Sequence, residues 1–547
     1  MHERDLKVDS VTTKSANGLL IAVRLLVLGA VILAALRVAW LGDDALITLR
    51  SALNISHGWG PGFNATESVQ AYTHPLWFLI WSGIGVATNQ WILGVIALSL
   101  VCTAIAVGIL VWSTRSIPRL IVAALLLILS NAFIEYSTSG LENPLSYLCA
   151  AILIALTVRA RSPRVPDLIL AVIAGLTVAA LFLTRMDLIV LVIPIAIYCV
   201  IRFRRYWRSL AICGVSALLP IVVWFIWSKQ TYAAWLPNTF EAKRNLNIPQ
   251  SELIIQGMRY LWVSFEHDPV SLVVIAAGVL LALFSRSWVL RSWAIGILLY
   301  IAYVVWVGGD FMAGRFMAVP VFVAVFLLAV VPLQAQHTSV ASASEFGKIA
   351  VALGLGVTLA GGAALAGSTP VALANPQAAR WEVDQNLNAG VSDERGSYVP
   401  LGRDLKTFVD KLSLAFLGED FVPIGDGTGL NRQLRDLDRA AKAWPTTDAY
   451  IGKPSEVGTF CGFLGTIGIV TGPTTHLIDT CSLTDKFLAS MPYTPAEPFA
   501  WKPGHFSRQV PEGYVEAVKE NDPTLLRDPA EQFYLRQLWA DIRPASN

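Results

Sequence analysis

The sequence predicts a polytopic α-helical membrane protein with a C-terminal extracytoplasmic domain of α/β or α+β type. Three observations carry this. The 547 residues are 55% hydrophobic and only 15% charged, and a mean hydropathy of +0.57 is far above that of a soluble domain. Apolar runs near the roughly 20 residues that a bilayer requires recur through the first two thirds of the chain. From Thr369 onward the composition turns to Gly, Pro, Asp and Trp, with short apolar pieces such as Ile467 to Val470. The expected division is a membrane-embedded part over 1–368 and an outer part over 369–547. A net charge of +2 gives no case for nucleic acid as a partner.

Taken in order, helices are expected near 19–41, 91–113, 120–136, 143–158, 168–184, 187–201, 209–228, 269–285, 289–307, 316–334 and 348–366. The first run is too long for a signal-peptide core and lacks a clear cleavage site, so it reads as an uncleaved span. A shorter run, 75–87, is too short to cross upright and reads as re-entrant or interfacial. Basic clusters occupy alternate loops: Arg115 with Arg119, Arg159 with Arg161 and Arg164, Arg202 to Arg208, and Arg286 with Arg291. The positive-inside rule places these in the cytoplasm. The topology is then about 11 spans, N-terminus inside and C-terminal part outside, in the plasma membrane.

The other loops then fall on the outer face, and they hold the polar residues that interrupt the apolar pattern. Ionisable groups at membrane depth are costly and usually functional. Asp43 and Asp44 directly follow the first span. A helix start accounts for one aspartate. A general base that deprotonates an acceptor hydroxyl accounts for the pair, and adjacent like charges raise one of the two pKa values. His74 sits on the same loop system, suited to a phosphate oxygen or to orienting a base. Arg185 and Asp187 read either as an interfacial ion pair or as a phosphate clamp, since the planar guanidinium suits a phosphodiester. Lys243 lies outside against the charge bias, which favours an anion site. Asp310 and Arg315 flank a Gly-rich turn at 308–314. Glu142-Asn143-Pro144 either starts a helix, with proline in its first turn, or holds acceptor hydroxyls. Cys102, Cys149, Cys199 and Cys213 lie in apolar runs as small hydrophobes, whereas Cys461 and Cys481 fall in the outer part, where a disulfide is plausible. No metal-ligand spacing or nucleotide loop is present.

Several of these features together resemble the GT-C glycosyltransferases. The blocks Asp43 to Arg50, Gly58 to Asn64, Thr138 to Asn143, Leu236 to Thr239 with Ala242-Lys243, and Gly308 to Arg315 are similar to the terminal β-(1→2)-arabinofuranosyltransferase family of mycobacteria and corynebacteria. So are Leu477 to Asp479, Leu483 to Asp485 and Pro503 to Phe506 in the outer part. The resemblance implies transfer of arabinofuranose from decaprenylphosphoryl-arabinofuranose, a polyprenyl-phosphate donor, to an envelope polysaccharide such as arabinan or to a glycoprotein such as a pilin. It implies an inverting step with Asp43 or Asp44 as base and no cofactor or metal. His74, Arg185, Asp187, Lys243, Asp310 and Arg315 would hold the donor, and Glu142, Asn143 and His505 the acceptor. A hexose transferase of the mannose type keeps the fold and changes the sugar. A transporter or flippase would place ionisable residues near the midplane in paired halves; here they gather at one face and no paired halves are evident.

Overall fold

A computed structural model describes residues 2–114, 116–159, 168–331, 371–372, 390–398, 433–446 and 453–543. The first half runs α1 (His2–Arg37), α2 (Asp43–Ser56), α3 (Pro75–Thr88), α4 (Trp91–Ser113), α5 (Ile117–Leu129), α6 (Asn131–Glu135), α7 (Asn143–Arg159), α8 (Leu168–Thr184), α9 (Ile189–Phe203) and α10 (Trp207–Tyr232). It continues with α11 (Asn238–Arg244), α12 (Gln250–His267), α13 (Pro269–Phe284), α14 (Trp288–Trp306) and α15 (Ala318–Val330). The last elements are α16 (Glu394–Tyr398), α17 (Gln433–Lys442), β1 (Glu456–Phe460), α18 (Leu464–Thr471), β2 (Thr475–Asp479), α19 (Lys486–Ser490), α20 (Tyr514–Glu520) and α21 (Pro529–Ile542).

Among the described residues, five helices are long and apolar enough to cross a membrane, or six if the bent pair α12–α13 counts as one span, and several shorter apolar helices pack between them. Each expected run up to 316–334 overlaps helix; 332–334 and 348–366 lie outside the described residues, as do Arg115, Arg161 and Arg164. Large apolar side chains on the bundle's perimeter stay exposed, at Leu26, Ile169, Val215 and Phe284 for example, as suits side chains that face lipid. Inside, helices close on small residues. A Cβ on Gly175 of α8 would meet the Cys213 carbonyl of α10 at 2.3 Å.

The ends of the bundle differ in chemistry. At one end, arginines tie off helix carbonyls. Arg24 donates to the carbonyls of Val111 and Thr114, Arg119 to Val331, and Arg291 to Leu283 and Ser285. At the other end lie the starts of α2, α3, α7, α9 and α15, and the polar loops before them.

Four expectations change in detail. The first run ends as helix at Arg37, turns at Val38 and continues without helix to Gly42, with Trp40 wholly buried. The 120–136 run breaks at Ser130, whose hydroxyl accepts from the Phe133 amide to start α6. A helix missed by the hydropathy pattern, α12, meets α13 at 109°; its polar face gives it no long apolar run. Cys199 and Cys213 are half-buried, whereas Cys102 and Cys149 are buried.

The described C-terminal residues are interleaved with the start of the chain. Strands β1 and β2 pair in parallel around α18, and Cys461 is joined to Cys481 beside them. Helix α18 packs on α2, and Leu464 and Leu477 share a small core with Ile47, Phe63 and Ala71. Arg50 of α2 bolts the two together: its buried guanidinium donates to the carbonyls of Phe63 at 2.8 Å, Gly468 at 2.8 Å and Thr475 at 2.7 Å. Arg50→Ala removes this donor from the buried Gly468 and Thr475 carbonyls, while Phe63 keeps Asn54, and is expected to cost about 2 kcal/mol or more. Limited proteolysis checks this: cleavage within 453–543 should speed up while the apolar bundle stays intact, and an unchanged pattern contradicts the bolt.

Candidate active site

The two adjacent aspartates open α2, and neighbours in a helix do not face the same way. Gly42 holds the N-cap position, its amide donating to the Ser139 carbonyl at 3.0 Å. Asp43 is buried, and its carboxylate accepts from the amides of Gly465 at 2.8 Å and Thr466 at 3.0 Å, and from the Thr466 hydroxyl. It therefore caps the start of α18, a helix more than 400 residues away in sequence. Asp44 turns the other way, with 30% of its side chain open, and lies 3.4 Å from Arg315. Burial, together with Asp310, Asp43 and Glu142, outweighs Arg315 and pushes the Asp44 carboxyl up to about 6.

Arg315 is the hub. Its guanidinium lies 3.4 Å from Asp44, 3.4 Å from Glu142 and 3.8 Å from Asp310. The Gly308 to Gly314 loop delivers both Asp310 and Arg315. Gly309 adopts φ +74°, and a Cβ there would strike Tyr260 at 2.5 Å, so only glycine fits. The turn is fixed by Asp310, which accepts from the Phe311 amide at 2.9 Å, and by Tyr260, whose hydroxyl meets the Met312 carbonyl at 3.3 Å and the Phe316 amide at 3.2 Å.

Glu142 sits behind the hub, fully buried. Burial alone would raise its pKa, but it falls to about 2 beside Arg315, His74 and Arg185. The His74 imidazole is held well down, to about 4, first by burial and then by the two arginines, against the pull of Glu142. It is thus neutral at pH 7, so the guanidiniums keep Glu142 ionised. His74 lies 3.2 Å from Glu142 and 2.8 Å from the Thr48 hydroxyl of α2. Arg185 lies 3.7 Å from Glu142 and grips Asp187 with two contacts of 3.1 and 2.6 Å; Tyr300 donates to Asp187 at 2.8 Å.

The structure therefore brings Asp44, His74, Glu142, Arg185, Asp187, Asp310 and Arg315 into one connected group. Asn143 joins weakly, its amide 3.4 Å from the Arg315 carbonyl. The group is charge-rich and incompletely satisfied: Arg185 Nη1 and Arg315 Nε are buried without a hydrogen-bond partner. Two spare guanidinium donors suit a phosphate oxygen. Lys243 does not join the ion pairs. It is exposed on α11 and acts at longer range on His505. His505 packs edge-on against Phe311, with ring centres 4.6 Å apart, and burial, then Lys502, pushes its pKa down to about 4.

Glu394 and Lys502 lie beside the Gly-rich loop, Lys502 with its ammonium 5.1 Å from the Phe311 ring centre, and are not legible in the sequence. The segment 392–394 lies along the Gly-rich loop: the Ser392 amide donates to the Phe311 carbonyl at 2.7 Å and its carbonyl accepts from Ala313 at 3.0 Å. Glu394 accepts from the Ser392 hydroxyl at 2.7 Å. Burial pushes it up to about 7, and the Asp44 charge adds to that against Ser392 and Lys502. Only the run Asp393-Glu394-Arg395 signals it in sequence, and such a run is ordinarily a solvated surface.

The chain is 27% identical to terminal beta-(1->2)-arabinofuranosyltransferase from Corynebacterium glutamicum over 344 residues, 54% of this chain and 48% of the relative. It thus spans about half the length of this curated relative. Among solved structures it is similar to the crystal structure of ArnT from Cupriavidus metallidurans bound to undecaprenyl phosphate, with a TM-score of 0.48, 14% identity, and coverage of 89% of this chain and 88% of that one. No family model matches.

The divergence of the two aspartates predicts opposite outcomes. Asp43→Ala strands the Gly465 and Thr466 amides and should cost about 1–3 kcal/mol. Asp44→Ala, at a partly open ion pair, should cost less than about 1 kcal/mol. Thermal unfolding of the two purified variants checks the order; a larger loss for Asp44→Ala contradicts it.

Proposed function

We propose that the chain is a membrane glycosyltransferase that transfers arabinofuranose from a polyprenyl-phosphate donor, decaprenylphosphoryl-arabinofuranose, to a hydroxyl of an envelope glycan on the outer face of the plasma membrane. One observation carries the reading: a partly open carboxylate with a pKa near 6, Asp44, stands beside Arg315, which shares Glu142 with Arg185, and both guanidiniums keep an unused buried donor. A base near neutrality and an anion clamp are what displacement of a sugar from a phosphate needs. The likeness to the corynebacterial arabinofuranosyltransferase supports the pentose.

In this reading Arg185 and Arg315 bind the donor phosphate through Nη1 and Nε. Glu142 keeps both guanidiniums in place, and neutral His74 links Glu142 to α2. The acceptor oxygen attacks the anomeric carbon from the face opposite the phosphate. The bond from that carbon to the phosphate oxygen breaks, its electron pair stays on the phosphate, and the hydroxyl proton passes to Asp44. The configuration inverts. Asp310 lines the sugar pocket. His505, Asn143 and Lys502 border the acceptor side, where the outer part of the chain covers the site. Lys243 then serves as an electrostatic guide at the rim.

The test uses purified protein, decaprenylphosphoryl-arabinofuranose and arabinan oligosaccharide. Asp44→Asn should lower transfer by roughly 10²–10⁴-fold with thermal stability kept; undiminished transfer overturns Asp44 as base. Turnover with the mannose donor and not the arabinose donor replaces the sugar assignment, and transfer to a pilin peptide in preference to arabinan replaces the acceptor. The pH profile gives a second test. Asp44 works ionised, and its pKa is raised to about 6, so kcat/KM should be level above that pH and fall about tenfold per unit below it. A profile flat down to pH 4.5 contradicts the assignment.

A further inference from the structure

A second cluster of ligating side chains lies outside the ion-pair network. Glu135 ends α6, His267 ends α12 and Asp393 precedes α16. All three are buried, and one ligand atom from each lies within 4.8 Å of the others. Asp393 points to a ligand independently. The residue is only 4% exposed; its Oδ1 accepts from the Gly396 amide at 2.8 Å, and its Oδ2 is buried with no hydrogen-bond partner. A buried carboxylate oxygen without a donor is costly, and a cation relieves that cost.

We propose that Glu135, His267 and Asp393 bind one divalent transition-metal ion, zinc or manganese, as a structural clamp behind the reacting group. One imidazole nitrogen with two carboxylate oxygens is a mixed set that these ions accept, whereas calcium and magnesium favour oxygen alone. Zinc holds such ligands at about 2.0–2.2 Å, so binding draws the three atoms inward. Two carboxylates match the charge of the ion.

The placement gives the clamp its consequence. The Glu135 carbonyl accepts from Trp40 at 2.9 Å, just ahead of Asp43 and Asp44. His267 adjoins Asp268, which accepts from the Ala132 amide at 2.8 Å and, through its other oxygen, from the Ser271 amide at 3.1 Å. Asp393 follows Ser392, which pairs with the loop that delivers Asp310 and Arg315. The ion ties together three segments that each support a wall of the site, without touching the reacting atoms.

The experiment is metal analysis of the tag-free full-length protein in detergent, as isolated and after stripping with a chelator and re-titration with zinc, manganese or magnesium. About one equivalent of zinc or manganese is expected, with a rise in Tm on re-addition that magnesium does not give. Asp393→Asn and His267→Gln should each bind the ion at least tenfold more weakly and lose the Tm rise. Failure of the wild-type protein to bind zinc or manganese stoichiometrically overturns the proposal, whether or not the variants fold. So does equal affinity in folded variants.

Discussion

The structure depends on Arg315 being surrounded by three carboxylates. One guanidinium lies within 4 Å of Asp44, Glu142 and Asp310, at 3.4, 3.4 and 3.8 Å. Those residues come from α2, the loop before α7 and the Gly-rich loop before α15. A charge buried there without partners is prohibitive, and four charges without an exact fit are no better. The Gly308–Gly314 turn, the Tyr260 hydroxyl and the Glu142–Arg185 contact all supply that fit. One donor on Arg315 and one on Arg185 are left without an internal hydrogen-bond partner.

From this constraint follows the division of labour between adjacent aspartates. A helix sends consecutive side chains in different directions, so one carboxylate docks α18 and its neighbour faces the guanidinium. The C-terminal part is therefore a wall of the site: α18 is capped by Asp43, Arg50 holds its flanks, and Lys502 and His505 approach the Gly-rich loop. Glu394 adds a carboxyl held near 7 by burial.

Much of this was legible in the chain. Apolar runs located the helices because bilayer-length hydrophobicity is a direct consequence of composition. The convergence of Asp44, Glu142, Arg185, Asp310 and Arg315 at one end followed from alternation of basic and polar loops. The roles were less legible. Helical phase relative to a distant partner decides which aspartate faces inward, and Gly465 gives no local sign that it needs a carboxylate. Glu142 reads as a helix start or an acceptor contact until its burial between two guanidiniums is seen. The elbow between α12 and α13 was invisible because α12 is amphipathic and short of a span. Glu394, and the trio Glu135, His267 and Asp393, draw on segments far apart in sequence, so no spacing rule detects them.

The central claim is that the polar end of the bundle is an anion site built on Arg315 and Arg185. The most direct measurement is a structure of the full-length protein with a polyprenyl phosphate bound. The account predicts phosphate oxygens about 3 Å from both guanidiniums, with Asp44 facing the linked carbon from the opposite side. A phosphate lodged instead at the far end, beside Arg119 and Arg291, would contradict it.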